Sequence, residues 1–236
     1  MVDSVNQMTH TSSVRTDIFY PESDGKPMAD NTKQYRWIVM IKENLEILLA
    51  NNLDSFIAGD LLWYPIEGNN ITCAAPDVMV VLGRPKGDRG SYQQWKEQGI
   101  PPKVAFEIMS PSNTQREMQD KRTFYETHGV DEFYIYDPER FRVVGYVRQG
   151  GELLPIANME GWVSPSLKIR FSKSNGELEI YYPDGRRFLT TIEFNSRAVS
   201  AEEERDLVIQ ERDLVTQERD RLLQQLRTMG INPDDL

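Results

Sequence analysis

The chain has 236 residues, a formal net charge of −10 at pH 7, one cysteine and two histidines. That length holds one ordinary domain with a sizeable core and an appendage. Cys73 alone excludes a disulfide framework and a thiolate zinc site, His10 and His128 are too few for a histidine-rich metal centre, and no apolar run is long enough for a membrane span.

The N-terminus shows no basic-then-apolar leader, so a cytoplasmic protein is expected. Any hydrolysis here rests on carboxylates, whose hard oxygens suit Mg²⁺ or Mn²⁺. The acidic balance argues against a surface that grips duplex nucleic acid. Residues 1–197 carry 22 basic and 27 acidic groups and residues 198–236 carry 5 and 10, so the tail supplies half of the excess.

Residues 1–30 are polar, with Ser, Thr, Asp, Pro and Gly, and read as a mobile arm. A helix is expected from 32 to about 50, capped by Asn31 or Thr32 and ended by Asn51-Asn52. Its stripe of Trp37, Ile41, Leu45 and Leu48 faces the core, with Asn44 inside it and in need of a buried partner. Glu46 falls in water. Glu43 falls at the edge of the apolar face, either as an accessory ligand of a metal or water or as a boundary glutamate in a surface salt bridge.

Strands are expected over Phe56–Tyr64 and within Ile71–Leu82, where the run after Pro76-Asp77 suits a strand covered on both faces. Residues 83–102 read as a long loop, or a loop with a short helix, with Arg84, Lys86, Arg89 and Lys96 interleaved with Tyr92 and Trp95. Such a loop either tracks a nucleic-acid backbone or packs its aromatics on the domain. Val104–Met109 is a buried strand with Glu107 inside it, followed by a helix over Thr114–His128 that stops at Gly129, and a strand over Asp131–Tyr136. Short antiparallel strands are expected from Phe141 to about Glu193, with turns at Gly150-Gly151, Ser174-Asn175-Gly176 and Pro183-Asp184-Gly185.

The tail repeats every seven residues, in runs that begin at Glu204, Glu211 and Glu218. A helix is expected. Each heptad holds one apolar cluster and lacks the spaced seam of a strong coiled coil, so the drive to self-associate is weak.

The chemistry concentrates in Asp77, Glu107 and Lys121. Two carboxylates supply hard ligands for a divalent metal, and a lysine supplies positive charge where a phosphodiester transition state becomes more negative. On its helix Lys121 lies within about 60° of Met118 and Tyr125, in the middle of the apolar stripe. It is costly there unless it is paired with carboxylates, or unless it snorkels outward to Glu117 one turn earlier.

In order, Pro76-Asp77-Val78, Phe106-Glu107-Ile108-Met109-Ser110-Pro111-Ser112, Lys121 with Tyr125, Gly129-Val130 and Tyr134-Ile135-Tyr136-Asp137-Pro138 resemble the Uma-type endonucleases of the PD-(D/E)XK, restriction-endonuclease-like superfamily, over roughly residues 30–195. The resemblance implies an α/β fold with an αβββαβ core and a mixed central sheet, a Mg²⁺ site at Asp77 and Glu107, and DNA as substrate. It also implies that an acid of the first helix, best matched by Glu43, joins the site. The superfamily pattern has lysine two residues after the glutamate; Met109 stands there, and Lys121 matches the Uma-type position on the following helix.

The expected organisation is an arm (1–30), the nuclease-like domain with its antiparallel extension (31–197) and a heptad helix (198–236). Two functions suit this reading. One is a Mg²⁺-dependent DNA endonuclease, with a homodimer supplying two sites. The other is a nuclease-fold binding or scaffold protein without turnover, with the heptad helix as its interaction arm.

Overall fold

An apolar run such as Val78–Leu82 cannot leave either side of its strand in water. In the computed structural model, which describes residues 18–25 and 27–229, both sides are covered. The chain divides into two units, Met1–Phe188 and Leu189–Leu236. Most of the arm expected over residues 1–30, namely 1–17 and 26, lies outside the described residues.

The first unit opens with α1 (Thr32–Leu48), capped by Asn31, whose side chain accepts the Gln34 N–H. Then follow β1 (Ser55–Ala58), β2 (Trp63–Tyr64), β3 (Val78–Leu82), β4 (Tyr92–Gln93), β5 (Val104–Ile108), α2 (Gln115–Thr127) and β6 (Glu132–Asp137). The extension is β7 (Arg142–Gln149), β8 (Glu152–Pro155) and the hairpin of β9 (Arg170–Ser174) with β10 (Glu177–Tyr181). The main sheet has the order β1-β3-β5-β6-β7-β8. Only β5 and β6 pair in parallel, joined by the α2 crossover, so α1-β1-β3-β5-α2-β6 is an αβββαβ core on a mixed sheet.

Two strand boundaries differ from expectation. The strand over Phe56–Tyr64 stops at Ala58, because Gly59 and Asp60 turn the chain and Asp60 takes a positive φ of 49°. Trp63 and Tyr64 pair with β4 instead. Of Ile71–Leu82 only Val78–Leu82 is strand; Ala74 contributes an isolated bridge to Trp63.

Alternate residues of the central strands feed two cores. Val78, Val80, Val104, Phe106 and Ile108 pack with Ile38, Ile41 and Leu45 of α1 and with Phe171 and Ile180 of the hairpin. Met79, Val81 and Ala105 pack with Met118 and Tyr125 of α2 and with Trp63 and Tyr92. The buried set of α1 is Gln34, Ile38, Ile41, Asn44 and Leu45, with Trp37 at its edge against the Tyr136 ring. Asn44 has its buried partner, since Tyr182 donates its hydroxyl to Oδ1 at 2.8 Å. Sequence reasoning passed over Glu132, a buried carboxylate that accepts from the Tyr134 hydroxyl (2.6 Å), the Ser164 hydroxyl (2.5 Å) and the Ser166 N–H (2.6 Å).

The 83–102 segment packs on the domain. Tyr92 is fully buried and donates to the Ile100 carbonyl at 2.6 Å. Arg84 and Arg89 both close on Glu97 at 2.7 Å, and the Arg89 guanidinium lies 3.9 Å from the centre of the Phe56 ring.

The second unit is α3 (Thr191–Thr228), opened by a capping box between Thr190 and Glu193. It begins ahead of the heptads and buries none of its residues, and Leu207, Leu214 and Leu222 are exposed.

The Glu97 clamp gives a pH prediction. Hydrogen bonding by Arg89, opposed by burial and reinforced by Arg84, holds the Glu97 carboxyl below its ordinary value. The folded-state pKa is depressed, so the clamp's stability is present above the unfolded carboxylate pKa and is lost as pH falls through the folded one. Glu97→Gln is expected to cost about 1–2 kcal/mol at neutral pH, and its gap to the parent protein should close on acidification. Denaturant unfolding of both proteins across pH 3–7 measures the gap, and a gap that does not change with pH contradicts the account.

Candidate active site

The β3/β5 register pairs Val78 with Phe106 and Met79 with Ala105. One step further along, the same register sets Asp77 opposite Glu107. By strand alternation both share the face of Met79 and Ala105, which α2 covers. Two carboxylates far apart in the sequence are thus brought together by one antiparallel pairing.

α2 completes the cluster. Lys121 and Tyr125 are one helical turn apart and point at the same carboxylate. The Lys121 ammonium donates to Glu107 Oε2 at 2.7 Å, and the Tyr125 hydroxyl donates to Oε1 in a short hydrogen bond. The Ile108 N–H donates to Asp77 Oδ2 at 2.6 Å. Glu107 is 2% exposed and Asp77 8%, whereas the Lys121 side chain keeps 25% exposure toward the cleft. Glu117 does not capture Lys121; its carboxylate accepts from the Asn113 amide at 3.2 Å.

The electrostatics follow from this crowding. Burial pushes the Asp77 carboxyl well above its ordinary value and the neighbouring Glu107 charge adds to it, while Lys121 and the Ile108 N–H pull it back. For Lys121 burial works downward, but the Glu107 and Asp77 charges outweigh it and hold the ammonium above its ordinary value. Burial, followed by the Glu107 charge, keeps the Tyr125 phenol protonated far above its usual range.

Asp77, Glu107 and Lys121 line a cleft of about 580 Å³. Asp60, Gln34, Asn113 and residues of the 24–30 segment also line it. That segment is tied down by Asp30, which accepts hydrogen bonds from Ser110 and Ser112 and donates its N–H to Gln34 at 2.8 Å. Glu43 is not brought to the cleft. Its side chain is 53% exposed and pairs with Lys42 at 3.2 Å. The sequence reading singled out neither Asp60 nor Gln34. The Gly59-Asp60 step inside a strand-like run was the available signal for Asp60.

Among the described residues, no cluster of three or more His, Cys, Asp or Glu forms a metal cage. Two hard carboxylates opposed across one strand pair suit Mg²⁺, which commonly takes one or two carboxylates and fills its sphere with water and phosphate oxygens. Asp77 Oδ1 accepts no hydrogen bond among the described residues, and each Glu107 oxygen carries a second lone pair beyond its one donor.

The frame is that of an α/β protein with a mixed central sheet, and a carboxylate pair and a lysine meet on one cleft of it. The family model named Uma2, described as "Putative restriction endonuclease", matches residues 36–172, more than half of the chain, and this protein belongs to that family. A solved structure described as a "putative nuclease belonging to DUF820 from Anabaena variabilis ATCC 29413" is similar at 18% identity, with a TM-score of 0.46, over 61% of this chain and 77% of that one. No curated protein matches the chain.

The buried pair gives a stability prediction. Lys121→Met strands the Glu107 charge and is expected to cost about 2 kcal/mol, below the cost of breaking a fully buried pair because Lys121 reaches water. Adding Glu107→Gln removes the stranded charge and should recover at least half of that loss. Guanidinium titrations of the single and double variants measure both, and a double variant less stable than Lys121→Met alone contradicts the pairing argument.

Proposed function

We propose that this protein is a divalent-metal-dependent endonuclease that hydrolyses phosphodiester bonds of DNA. The observation that carries the reading is the convergence of Asp77, Glu107 and Lys121 on one cleft from two paired strands and the helix between β5 and β6. Asp77 and Glu107 would hold Mg²⁺ or Mn²⁺. A hard divalent cation there supplies Lewis acidity toward a phosphoryl oxygen and lowers the pKa of bound water.

The chain's own groups do the rest. Tyr125 fixes the rotamer of Glu107 from below, so the carboxylate is set before substrate arrives. The Ile108 N–H does the same for Asp77. Lys121, partly exposed at the cleft wall, places positive charge against a phosphate whose negative charge grows in the transition state and orients the attacking water. Attack in line with the 3′ oxygen leaves a 5′ phosphate, as the resemblance to the superfamily implies. Glu43 plays no part in this reading unless α1 shifts, because it lies outside the cleft. A homodimer joined through the exposed apolar clusters of α3 is the assembly that double-strand cutting calls for.

One observation favours the second reading, a binding protein without turnover. Both oxygens of Glu107 are already held by protein donors, and acids dominate the cleft lining.

The deciding experiment is cleavage of supercoiled and linear DNA with Mg²⁺ or Mn²⁺, beside Asp77→Ala and Lys121→Ala proteins purified in parallel. Metal-dependent nicking that falls by about a hundredfold or more in both variants is expected. Nicking that survives both substitutions contradicts the assignment. No nicking, together with no thermal stabilisation by either metal, favours the binding reading.

A further inference from the structure

The cleft cannot hold a polyanion by itself. Among the described residues seven carboxylates line it (Asp24, Asp30, Asp60, Asp77, Glu107, Glu117 and Asp120) and Lys121 is the one cation. The basic 83–102 segment offers little, because Arg84 and Arg89 are spent on Glu97 and Lys86 pairs with Glu46, which among the described residues leaves Lys96 alone. A nuclease with this cleft needs a cationic surface elsewhere, within reach of the same strand.

Such a surface adjoins the cleft. Asn113 lines both the cleft and a second groove of about 430 Å³ between α2 and the start of β7. Three arginines edge this groove, Arg122, Arg140 and Arg142, against the single carboxylate of Asp137. Arg140 is 77% exposed and meets Asp137 with one guanidinium nitrogen, at 2.8 Å. Arg142 is exposed and makes no ion pair among the described residues. Arg122 is anchored by the Leu153 carbonyl at 2.8 Å and lies 4.7 Å from the centre of the Tyr146 ring, so its charge is fixed at the groove wall. Met118 and Tyr146 give the groove an apolar floor. Glu126 meets Arg122 at 3.9 Å and Asp137 meets Arg140, so among the described residues Arg142 is the uncompensated charge, a local positive excess next to the carboxylate site in a chain of net charge −10.

We propose that this groove seats the phosphodiester backbone of a nucleic-acid strand beside the bond placed in the cleft, with Arg140 and Arg142 on phosphates and the apolar floor under a sugar or base. The inference rests on the nuclease reading above and extends it to where the substrate lies. Guanidinium forks match phosphate oxygens in pairs, and a strand held here enters the acidic cleft at one phosphate only.

The test separates binding from cutting. A fluorescein-labelled duplex and a labelled single strand are titrated by anisotropy in EDTA, from 50 to 200 mM salt. The proteins are the parent, Arg140→Ala/Arg142→Ala, and Arg142→Glu alone, which leaves the Arg140–Asp137 pair intact if the double variant loses stability. The double variant is expected to bind about tenfold more weakly, with a log–log salt slope shallower by about 2. Arg142→Glu should weaken binding at least as much as loss of one contact. Metal-dependent nicking, if the parent shows it, should need more DNA to saturate and keep its maximal rate. Unchanged affinity and slope in both variants overturn the groove and leave the endonuclease reading standing. A parent that binds through the arginines but never nicks upholds the groove and sinks the endonuclease reading. A parent that binds neither probe overturns the groove, and the nicking assay with metal then decides the endonuclease reading by itself.

Discussion

The contact that the rest of this protein depends on is the one between Lys121 and Glu107. A carboxylate inside a strand that is covered on both faces loses most of its hydration, and it survives as a charge only with partners in place. Lys121 and Tyr125 provide them together, because one helical turn separates the two and β5 runs directly beneath α2. α2 can lie there because β5 and β6 are parallel, which forces a crossover connection over that face. The same docking buries Met118 and Tyr125 in the second core. Hence the chemistry and the packing share one constraint: moving α2 away would open the core and strand the charge at once.

That arrangement gathers negative charge. Asp77 and Glu107 sit opposite one another, and Asp60 lines the same cleft; burial raises the Asp77 and Asp60 carboxyls above their ordinary values, and neighbouring carboxylates, Glu107 for Asp77 and Asp24 for Asp60, add to it. One lysine offsets part of this. A cleft left so acidic favours a cation over an anion, and a phosphate alone would be repelled. Cation first and phosphate second is the sequence of binding that such electrostatics permit. On the proposed endonuclease reading, positive charge for a phosphodiester has to lie outside the cleft, which is where the arginines of the neighbouring groove are found.

Much of the fold was legible in the sequence, for identifiable reasons. Apolar runs of strand length, a Gly129 stop and turn signals are local features, and the helices and the central strands formed where those features lie. The phase of α2 was legible too, since a lysine amid Met118 and Tyr125 must find a carboxylate. Which carboxylate it finds is a matter of long-range pairing. Glu117 was near in sequence; Glu107 is near in space, and the parallel crossover decides between them. The 83–102 segment was ambiguous because composition reports residue types and not their partners. Glu97 takes two of its arginines, and that contact exists only once the loop has folded back on itself.

The first helix shows the limit of such phase arguments. Glu43 stands about 180° around α1 from Gln34, and the buried side of α1 includes Gln34 together with Ile38, Ile41 and Leu45. Trp37 and Leu48 drew the expected stripe to one side, yet both are only partly buried, so the true face is turned away from Glu43. What reaches the cleft from α1 is therefore its N-terminal turn, where Gln34 donates to the Ile108 carbonyl at 2.8 Å. One of the acidic residues that line the cleft with Asp77 and Glu107 comes instead from just beyond β1, where Asp60 holds a left-handed backbone that an aspartate adopts at a cost. Its N–H donates to the Pro76 carbonyl at 3.1 Å, one residue before Asp77, so the break in β1 and the opening of β3 are one local structure. Gly59 lies against the Asp77 carbonyl, which stands 3.4 Å from where a Cβ would be, at ordinary contact distance. The sequence Gly59-Asp60 thus gives up strand continuity to bring another carboxylate to the lining of the cleft, and a helical periodicity argument has no means of seeing a residue placed by a broken strand.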